Sequence, residues 1–278
     1  MIRAVATDQP AIEAFLAKHI ETSMFPLVNL INHGMSGGHP RAVTCWIRWK
    51  AGQITDVLTV SDEGMIFPQC PTGPWGDVVT VLSDIGIKGI LGAADQVASL
   101  RGTLRLPASP DLDVVEPLYH LSLMNLQIPD GLTELRQLQD APRDLIEGWR
   151  AAYNIELLAY PKDSAAAQAA RDIAGYIAKD SHRVLMQDGK PVAMTGFNAE
   201  LPHVVQIGGV YTPPEARSGG LARRAVALHL AEAAEKGVTD ALLFAANPAA
   251  EKAYQAIGFA HIGHYAIAMY EEPQVRRD

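Results

Sequence analysis

The chain has 278 residues, of which 48% are hydrophobic and 19% charged, and its formal net charge is -8. This composition is typical of a globular protein, and it lacks the basic surplus that binding to nucleic acid or anionic lipid requires. No apolar run approaches the ~20 residues that cross a bilayer, and the first ten residues lack a basic flank followed by an apolar core. We therefore expect a soluble, cytoplasmic protein that binds neither nucleic acid nor membrane.

The first 113 residues predict an alternation of helices and strands. Apolar residues at helical spacing indicate a helix from Pro10 to Asn32, and a glycine-rich loop follows it. The remaining predicted elements are strands at Val43–Trp49 and Ile54–Phe67, a short helix at Trp75–Asp84, a strand at Ile87–Leu91 and a helix at Ala93–Leu104. Cys45 and Cys70, the only cysteines, show no metal-ligand spacing and are interpreted as buried small hydrophobes.

Residues Pro107 to Pro117 include three prolines and three acidic side chains, which is typical of a connector. We therefore predict two domains, residues 1–113 and 114–278. In the second domain the pattern predicts a strand at Leu118–Ile128, helices at Asp144–Leu158 and Asp163–Lys179, a hairpin of His182–Gln187 and Pro191–Phe197, and a strand at His203–Thr212.

The next segment has the layout of an anion site. After the strand and a Pro-Pro turn, the sequence Arg217-Ser218-Gly219-Gly220-Leu221-Ala222 opens an Ala- and Leu-rich helix that should end near Lys236. Glycines let a ligand approach the backbone, and the first N–H groups of a helix have no internal acceptor. The segment contains neither a P-loop Lys-Ser/Thr pair nor GxGxxG. An ordinary helix N-terminus is the alternative interpretation.

A second motif follows after one predicted strand, Ala241–Ala246. It begins at Asn247, a predicted helix cap, has Pro248 in the first helical turn and Tyr254 near the end, and finishes with Gly258-Phe259. A last strand is predicted at Ala260–Tyr270. His261 and His264 fall on opposite faces of that strand, so they form no joint metal site, and we expect no metal.

Together the two motifs identify a family resemblance. Arg217, Gly220 and Ala222 match the Arg/Gln-x-x-Gly-x-Gly/Ala signature of the GNAT acetyltransferase superfamily, and Asn247 to Phe259 resembles its Asn-x-x-(Ala/Ser)-x-x-x-Tyr-x-x-x-Gly-Phe signature. The resemblance covers roughly residues 120 to 270. It implies an α/β fold with a mixed sheet, a GNAT acyl-CoA N-acyltransferase fold in the C-terminal domain, and a degenerate GNAT-like N-terminal domain that has lost both signatures.

The resemblance also implies acetyl-CoA as co-substrate. The pyrophosphate would bind at the loop and the pantetheine arm would lie between the two splayed strands, where Gly208-Gly209 suits a bulge or alternatively only relieves crowding. The implied cofactor-binding residues are Val210, Tyr211, Thr212, Arg217, Ser218, Gly219, Gly220, Leu221, Ala222, Asn247, Ala250 and Tyr254.

Tyr254 is the candidate catalytic residue. A phenol with a pKa of ~10 stays protonated at neutral pH and can donate to a leaving thiolate; the alternative is that Tyr254 packs against Phe259. No general base is evident: Glu200, His203 and Glu215 flank the cofactor strand, and Gln206 lies in its middle. A carboxylate or imidazole could take the amine proton directly or through water, and the alternative is that each is a solvated loop residue.

These observations lead to one functional prediction and three alternatives, the last of which is a purely structural module whose glycine loop binds nothing. The prediction is an acetyl-CoA-dependent N-acetyltransferase that acts on a primary amine of a small molecule or peptide in a ternary complex, as a monomer or homodimer. The first alternative is a different acyl chain or an oxygen nucleophile. The second is a non-catalytic acyl-CoA-binding sensor.

Overall fold

A computed structural model describes residues 1–276 of the chain. The chain divides into two compact units: unit 1 consists of Met1–Glu116 together with the segment that begins at Gly263, and unit 2 is Pro117–Ile262. The first change of unit lies close to the predicted boundary after residue 113. The segment from Gly263 onward groups with the N-terminal residues, whereas the sequence pattern had suggested no such return.

Unit 1 contains four antiparallel strand pairs and one parallel pair. Its elements are β1 (Ile2–Arg3), α1 (Gln9–Lys18), α2 (Ile20–His33), β2 (Val43–Lys50), β3 (Gln53–Ser61), β4 (Met65–Gln69), α3 (Trp75–Val81), β5 (Ile87–Ala93), α4 (Ala94–Leu104) and the greater part of β12 (Ala260–Gln274). The strand order is β1-β2-β3-β4-β5-β12, and only β4 and β5 are parallel.

The single helix predicted from Pro10 to Asn32 is wrong in one respect. The chain leaves the helical conformation at His19, where φ is −114° and ψ is 32°, so two helices replace one. Apolar periodicity continues through this break, which is why the sequence pattern did not reveal it.

Unit 2 repeats the element order of unit 1. Its elements are β6 (Leu112–Ser122), which begins at the end of unit 1, β7 (Glu134–Gln137), α5 (Arg143–Leu158), α6 (Lys162–Ala178), β8 (His182–Gln187), β9 (Lys190–Leu201), β10 (Val204–Tyr211), α7 (Leu221–Glu235), β11 (Asp240–Phe244) and α8 (Pro248–Gln255). The strand order is β6-β11-β10-β9-β8-β7, with β10 and β11 parallel.

Two strands differ from the sequence prediction. The strand predicted at Leu118–Ile128 instead begins at Leu112, inside the segment interpreted as a connector, and it ends at Ser122. Pro117 is compatible with this strand because its carbonyl oxygen still accepts a hydrogen bond from the Ala245 N–H, at 3.1 Å. The short strand β7 was not predicted.

The helices of unit 2 cover both faces of its sheet. Val184 on β8 packs with Trp149 of α5 and Ile173 of α6, whereas the next residue, Leu185, packs with Ala225 of α7. Successive side chains of a strand point to opposite faces, so α5 and α6 lie on one face and α7 on the other. This leaves the ends of β10 and β11 as the place where a ligand can reach the sheet.

Within residues 1–276, no helix combines the length and apolar character needed to cross a membrane. The same residues contain no group of three or more His, Cys, Asp or Glu side chains arranged to hold a metal ion.

Candidate functional site

The parallel strands β10 and β11 separate in the middle of the sheet. Their pairing runs over Val204–Asp240, Val205–Ala241 and Gln206–Leu242, and in the described part of the chain no later residue of β10 pairs with β11. From Ile207 onward, no residue of β10 pairs with β11 in the described structure, although the Ile207 carbonyl accepts a hydrogen bond from Nε2 of Gln206. An extended ligand with amide groups can occupy the gap as an additional strand does.

A bulge in β10 lies directly beside this gap. The register with β9 shifts between Gly208 and Tyr211, and Gly209 has a φ of 63°, which confirms the bulge predicted at the two glycines. Crowding also requires them to be glycine, because a Cβ at Gly208 would lie 1.8 Å from the Asn198 side-chain nitrogen and one at Gly209 would lie 2.6 Å from Nε2 of His182. Both interpretations of the glycine pair therefore hold.

The loop between β10 and α7 presents a row of free amides. Ser218 and Gly220 have φ values of 68° and 73°, and Gly220 is the N-cap residue of α7. None of the N–H groups from Ser218 to Arg223 donates to a backbone or side-chain acceptor within residues 1–276. Alternating backbone conformations of this kind turn successive N–H groups toward one point, and the positive end of the helix dipole lies behind them. Such an arrangement is suited to an anionic ligand.

The side chain of Arg217 does not point along this row of amides. Its Nη2 contacts Oε2 of Glu156 on α5 at 2.8 Å, and its Nε donates to the Thr212 carbonyl at 3.0 Å. Its guanidinium also lies 5.6 Å from the centre of the Tyr211 ring. Arg217 therefore ties the loop to β10 and α5.

Two arginines in the first turn of α7 were not singled out from the sequence. Arg224 donates to the carbonyl oxygens of Pro129 and Gly131 and to Thr133, and so holds that segment against the helix. Arg223 lies beside Gly220, and its Nε is buried without a partner among the described residues. A cation in the first helical turn is unfavourable to the helix dipole, and this was the available sequence signal that an anion binds there.

The residues after the bulge place their backbone, rather than their side chains, at the gap. The Tyr211 side chain is buried against Trp149, with the ring centres 6.3 Å apart, and its hydroxyl lies 3.5 Å from Glu156. Burial, and next the Glu156 carboxylate, raises the pKa of Tyr211. The Thr212 hydroxyl is buried without a hydrogen-bond partner in the described structure. Val210 is half-buried against the core shared with α7 and β11.

Helix α8 follows β11 at the same end of the sheet. Asn247 caps it as predicted, since its Oδ1 accepts from the N–H groups of Ala249 and Ala250 at 3.1 and 3.0 Å. Tyr254 is 7% exposed and packs edge-on to Phe259, with ring centres 6.1 Å apart. The packing alternative for Tyr254 is thus satisfied in this structure, and its role as an acid stays a prediction.

The Glu251 side chain of α8 is directed at β6. Its carboxylate is half-buried and accepts a hydrogen bond of 2.7 Å from the Tyr119 hydroxyl, whereas the neighbouring Lys252 is exposed. The contact joins residues 132 positions apart, which no local pattern reveals.

The structure separates the candidate bases from the gap. Glu200 and His203 lie at the beginning of β10, next to Val205 and in the turn that precedes Val204, at the opposite end of the strand from the bulge. Glu215 lies on an exposed turn. Gln206 is buried at the point where the strands part, and its Nε2 donates to the Ile207 carbonyl at 2.6 Å while its Oε1 has no partner among residues 1–276.

Comparisons with known proteins agree with this geometry. A family model described as "Acetyltransferase (GNAT) family" matches residues 144–259. No curated protein matches the sequence.

The chain is also similar to solved structures over nearly its whole length. A GCN5-related N-acetyltransferase from Sphaerobacter thermophilus is 13% identical with a TM-score of 0.59, and the match covers 99% of this chain and 95% of that one. A tandem GNAT protein from the clavulanic acid biosynthesis pathway is 13% identical with a TM-score of 0.54, covering 96% and 97%. A Drosophila protein is 13% identical with a TM-score of 0.62, covering 96% and 97%. At these identities the likeness shows the fold, which confirms the predicted fold class.

Proposed function

Because residues 144–259 form an acetyltransferase (GNAT) family domain, we propose that the protein is an acetyl-CoA-dependent N-acetyltransferase. Its acceptor is the primary amine of a small molecule or peptide, which attacks the thioester directly in a ternary complex. The observation that carries the proposal is the row of unpaired N–H groups from Ser218 to Arg223 at the end of the gap between β10 and β11. A diphosphate and an amide-containing arm are the two parts of coenzyme A that such a pair of features fits.

Different residues of the chain bind different parts of coenzyme A. The amides of Ser218 to Ala222 hold the diphosphate, with Arg223 beside them as a further cation. Arg217 keeps the loop in place through Glu156 and Thr212. The backbone of Val210 to Thr212, exposed to the gap by the bulge, pairs with the pantetheine amides, and Asn247 and Ala250 at the start of α8 line the opposite side.

Acetyl-CoA supplies an acyl group activated as a thioester. The amine nitrogen forms a bond to the carbonyl carbon, the carbon–sulfur bond breaks, and the amine loses one proton while the thiolate gains one. Tyr254 donates the proton to sulfur, since a phenol and a thiol have similar basicity. We propose that solvent takes the amine proton, since Glu200 and His203 lie at the opposite end of β10 from the bulge and Glu215 lies on an exposed turn.

The test combines binding and turnover. Calorimetric titration with coenzyme A should give saturable binding, and a panel of amines, polyamines, amino acids and peptides with acetyl-CoA should release free thiol with at least one acceptor. Tyr254→Phe should slow turnover with that acceptor and leave the affinity for coenzyme A nearly unchanged. Absence of coenzyme binding would overturn the proposal, and equal turnover of the two proteins would remove Tyr254 from it.

A further inference from the structure

The hydrogen bonds that orient α8 involve Tyr119, a residue that the proposed function does not yet use. Helix α8 has eight residues, so it depends on tertiary contacts for its stability and orientation. Tyr254 lies near its end and packs with Ile257 and Phe259 in the core of unit 2. If Tyr254 is the acid of the proposed function, the rotation of this short helix decides where its hydroxyl lies.

One side chain outside the helix controls that rotation. The hydroxyl of Tyr119 donates to Oε2 of Glu251 at 2.7 Å and accepts from Nε2 of Gln255 at 3.4 Å. Residues three and four apart are neighbours on a helix surface, so Glu251 and Gln255 form one flank, and Tyr254 lies three residues after Glu251 on the adjoining side. Two hydrogen bonds to one oxygen therefore fix both the height and the rotation of α8.

Tyr119 is itself held rigidly. It is 1% exposed, it lies on β6 opposite Leu243 of β11, and its ring packs edge-on to His261 with the centres 5.4 Å apart. Burial and the Glu251 carboxylate both raise the pKa of Tyr119. Its hydroxyl is therefore a fixed donor on the rigid sheet, aimed at the helix that carries the candidate acid.

We propose that Tyr119 is a positioning residue for acetyl transfer, which acts through Glu251 and Gln255 to hold Tyr254 at the reacting sulfur. The inference rests on the proposed function and adds a residue to it. Neither GNAT signature contains Tyr119, which precedes both motifs by about a hundred residues.

The test is a double-mutant cycle measured with the fastest acceptor amine of the panel. Tyr119→Phe keeps the ring and removes only the hydroxyl, and we expect kcat to fall about 10-fold because a catalytic group displaced by about 1 Å can lose up to ~100-fold. The KM for acetyl-CoA should change less than about twofold, since the binding loop is untouched. In the Tyr254→Phe background the same change should have no further effect, because Tyr119 acts only through Tyr254.

Matched variants and a second measurement keep the inference separate from the proposed function. Glu251→Gln retains an acceptor for the Tyr119 hydroxyl and should keep near-normal turnover, whereas Glu251→Ala should resemble Tyr119→Phe. Hydrogen exchange of the α8 amides in the coenzyme A complex should be faster in Tyr119→Phe and Glu251→Ala only. Unchanged kcat and exchange in Tyr119→Phe, or an equal loss of kcat in both backgrounds, would overturn the inference. Failure of the unmodified protein to acetylate any amine would instead overturn the proposed function.

Discussion

Both units contain the same strand–helix–strand succession, but its two parallel strands and the loop between them differ. In each unit, antiparallel strands lead to a strand that crosses by a helix to a parallel neighbour: β4, α3 and β5 in unit 1, and β10, α7 and β11 in unit 2. In unit 2 the parallel strands part after three pairs. In unit 1 the pairing covers Met65–Gly89 and Ile66–Ile90, and the strands stay close beyond it, since a Cβ added at Gly92 of β5 would lie 3.3 Å from the Pro68 carbonyl of β4. Pro68 also has no N–H to offer to a ligand.

The loop that precedes α3 in unit 1 and the loop that precedes α7 in unit 2 also differ, in whether their backbone N–H groups have acceptors. In unit 1 the loop donors are already used: the Thr72 N–H donates to Oδ1 of the fully buried Asp56 at 2.9 Å, and the Cys70 N–H donates to Gln96 at 2.6 Å. Arg48 in turn pairs with Asp56 at 2.8 Å. The buried Asp56 carboxylate thus holds this loop from within unit 1. In unit 2 the corresponding amides have no partner within the described residues. We therefore propose that this fold gives a ligand site only where backbone groups of the strands and the loop are left without partners.

The largest effect on coenzyme A binding should come from adding a negative charge to the loop between β10 and α7 of unit 2, which we call the open loop. Gly219 has space, since a Cβ there would touch nothing closer than 3.8 Å, and its φ is not positive. A carboxylate about 4 Å from a phosphate costs about 4 kcal/mol at the effective dielectric constant of a protein surface, so Gly219→Glu should weaken coenzyme A binding at least ~100-fold. Gly219→Gln is the neutral control of equal size. Calorimetry that finds equal affinity for the two variants would place the diphosphate elsewhere.

The second prediction concerns the closed loop of unit 1. Asp56→Ala leaves Arg48 and the Thr72 N–H without their buried carboxylate, and loss of one partner of a buried pair costs about 3 kcal/mol. Urea unfolding should register this loss. Coenzyme A titration should still give one site per chain, because β4 and β5 remain closed. A second site in Asp56→Ala would show that the carboxylate alone excludes the ligand. Asp77→Ala is the control, since Asp77 is an exposed partner of the same Arg48.

Local chemistry explains what the sequence predicted. Asn247 caps a helix, glycine pairs mark a bulge and a loop, and alternating or helical periodicity placed β8, α5 and α8 within a residue or two. Each of these features depends on neighbours close in the chain, where residue type and backbone conformation are directly linked. The loop before α7 was predicted for the same reason, from its glycines and the helix that follows them.

Contacts between distant residues account for what the sequence did not predict. β11 supplies the partner of β6 from Leu118 to Ser122, and Tyr119 reaches Glu251 across 132 residues. Arg217 was placed at the loop by its motif, but its salt bridge to Glu156 spans 61 residues. No periodicity encodes such pairs, since they follow from the packing of the whole unit.

Lowering the pH should destabilise unit 2 more than unit 1. The histidines that are buried among residues 1–276, His182 and His229, both lie in unit 2. Burial, and next the charge of Arg183, lowers the pKa of His229 to about 3, and burial lowers that of His182 well below its usual value. Between about pH 6.5 and the folded pKa, the unfolded chain binds more protons, so stability falls as pH falls, by at most about 1.4 kcal/mol per unit for each histidine.

His229→Phe should reduce this acid sensitivity, because the new ring still stacks on Phe197, 3.9 Å away in the native pair, and does not titrate. Urea unfolding at pH 7 and pH 5, with proteolysis and mass spectrometry to locate the first unit to open, checks the prediction. His203→Gln, at an exposed position, is the control. First opening of unit 1 at pH 5, or an unchanged pH slope in His229→Phe, contradicts it.

The smallest expected change in coenzyme A affinity concerns Arg217, which either anchors the open loop or binds the diphosphate. Its pair with Glu156 is half-exposed, with the two side chains 46% and 41% accessible, and such a pair contributes at most about 1 kcal/mol. If Arg217 anchors the loop, Glu156→Gln should loosen the loop and weaken coenzyme A binding by about twofold, with little dependence on salt. If Arg217 must leave Glu156 to reach the diphosphate, the same variant frees it and binding becomes tighter, most visibly at low salt. The direction of the change in Kd therefore decides between the roles, and the second hydrogen bond of Arg217, to the Thr212 carbonyl, leads us to expect the anchor.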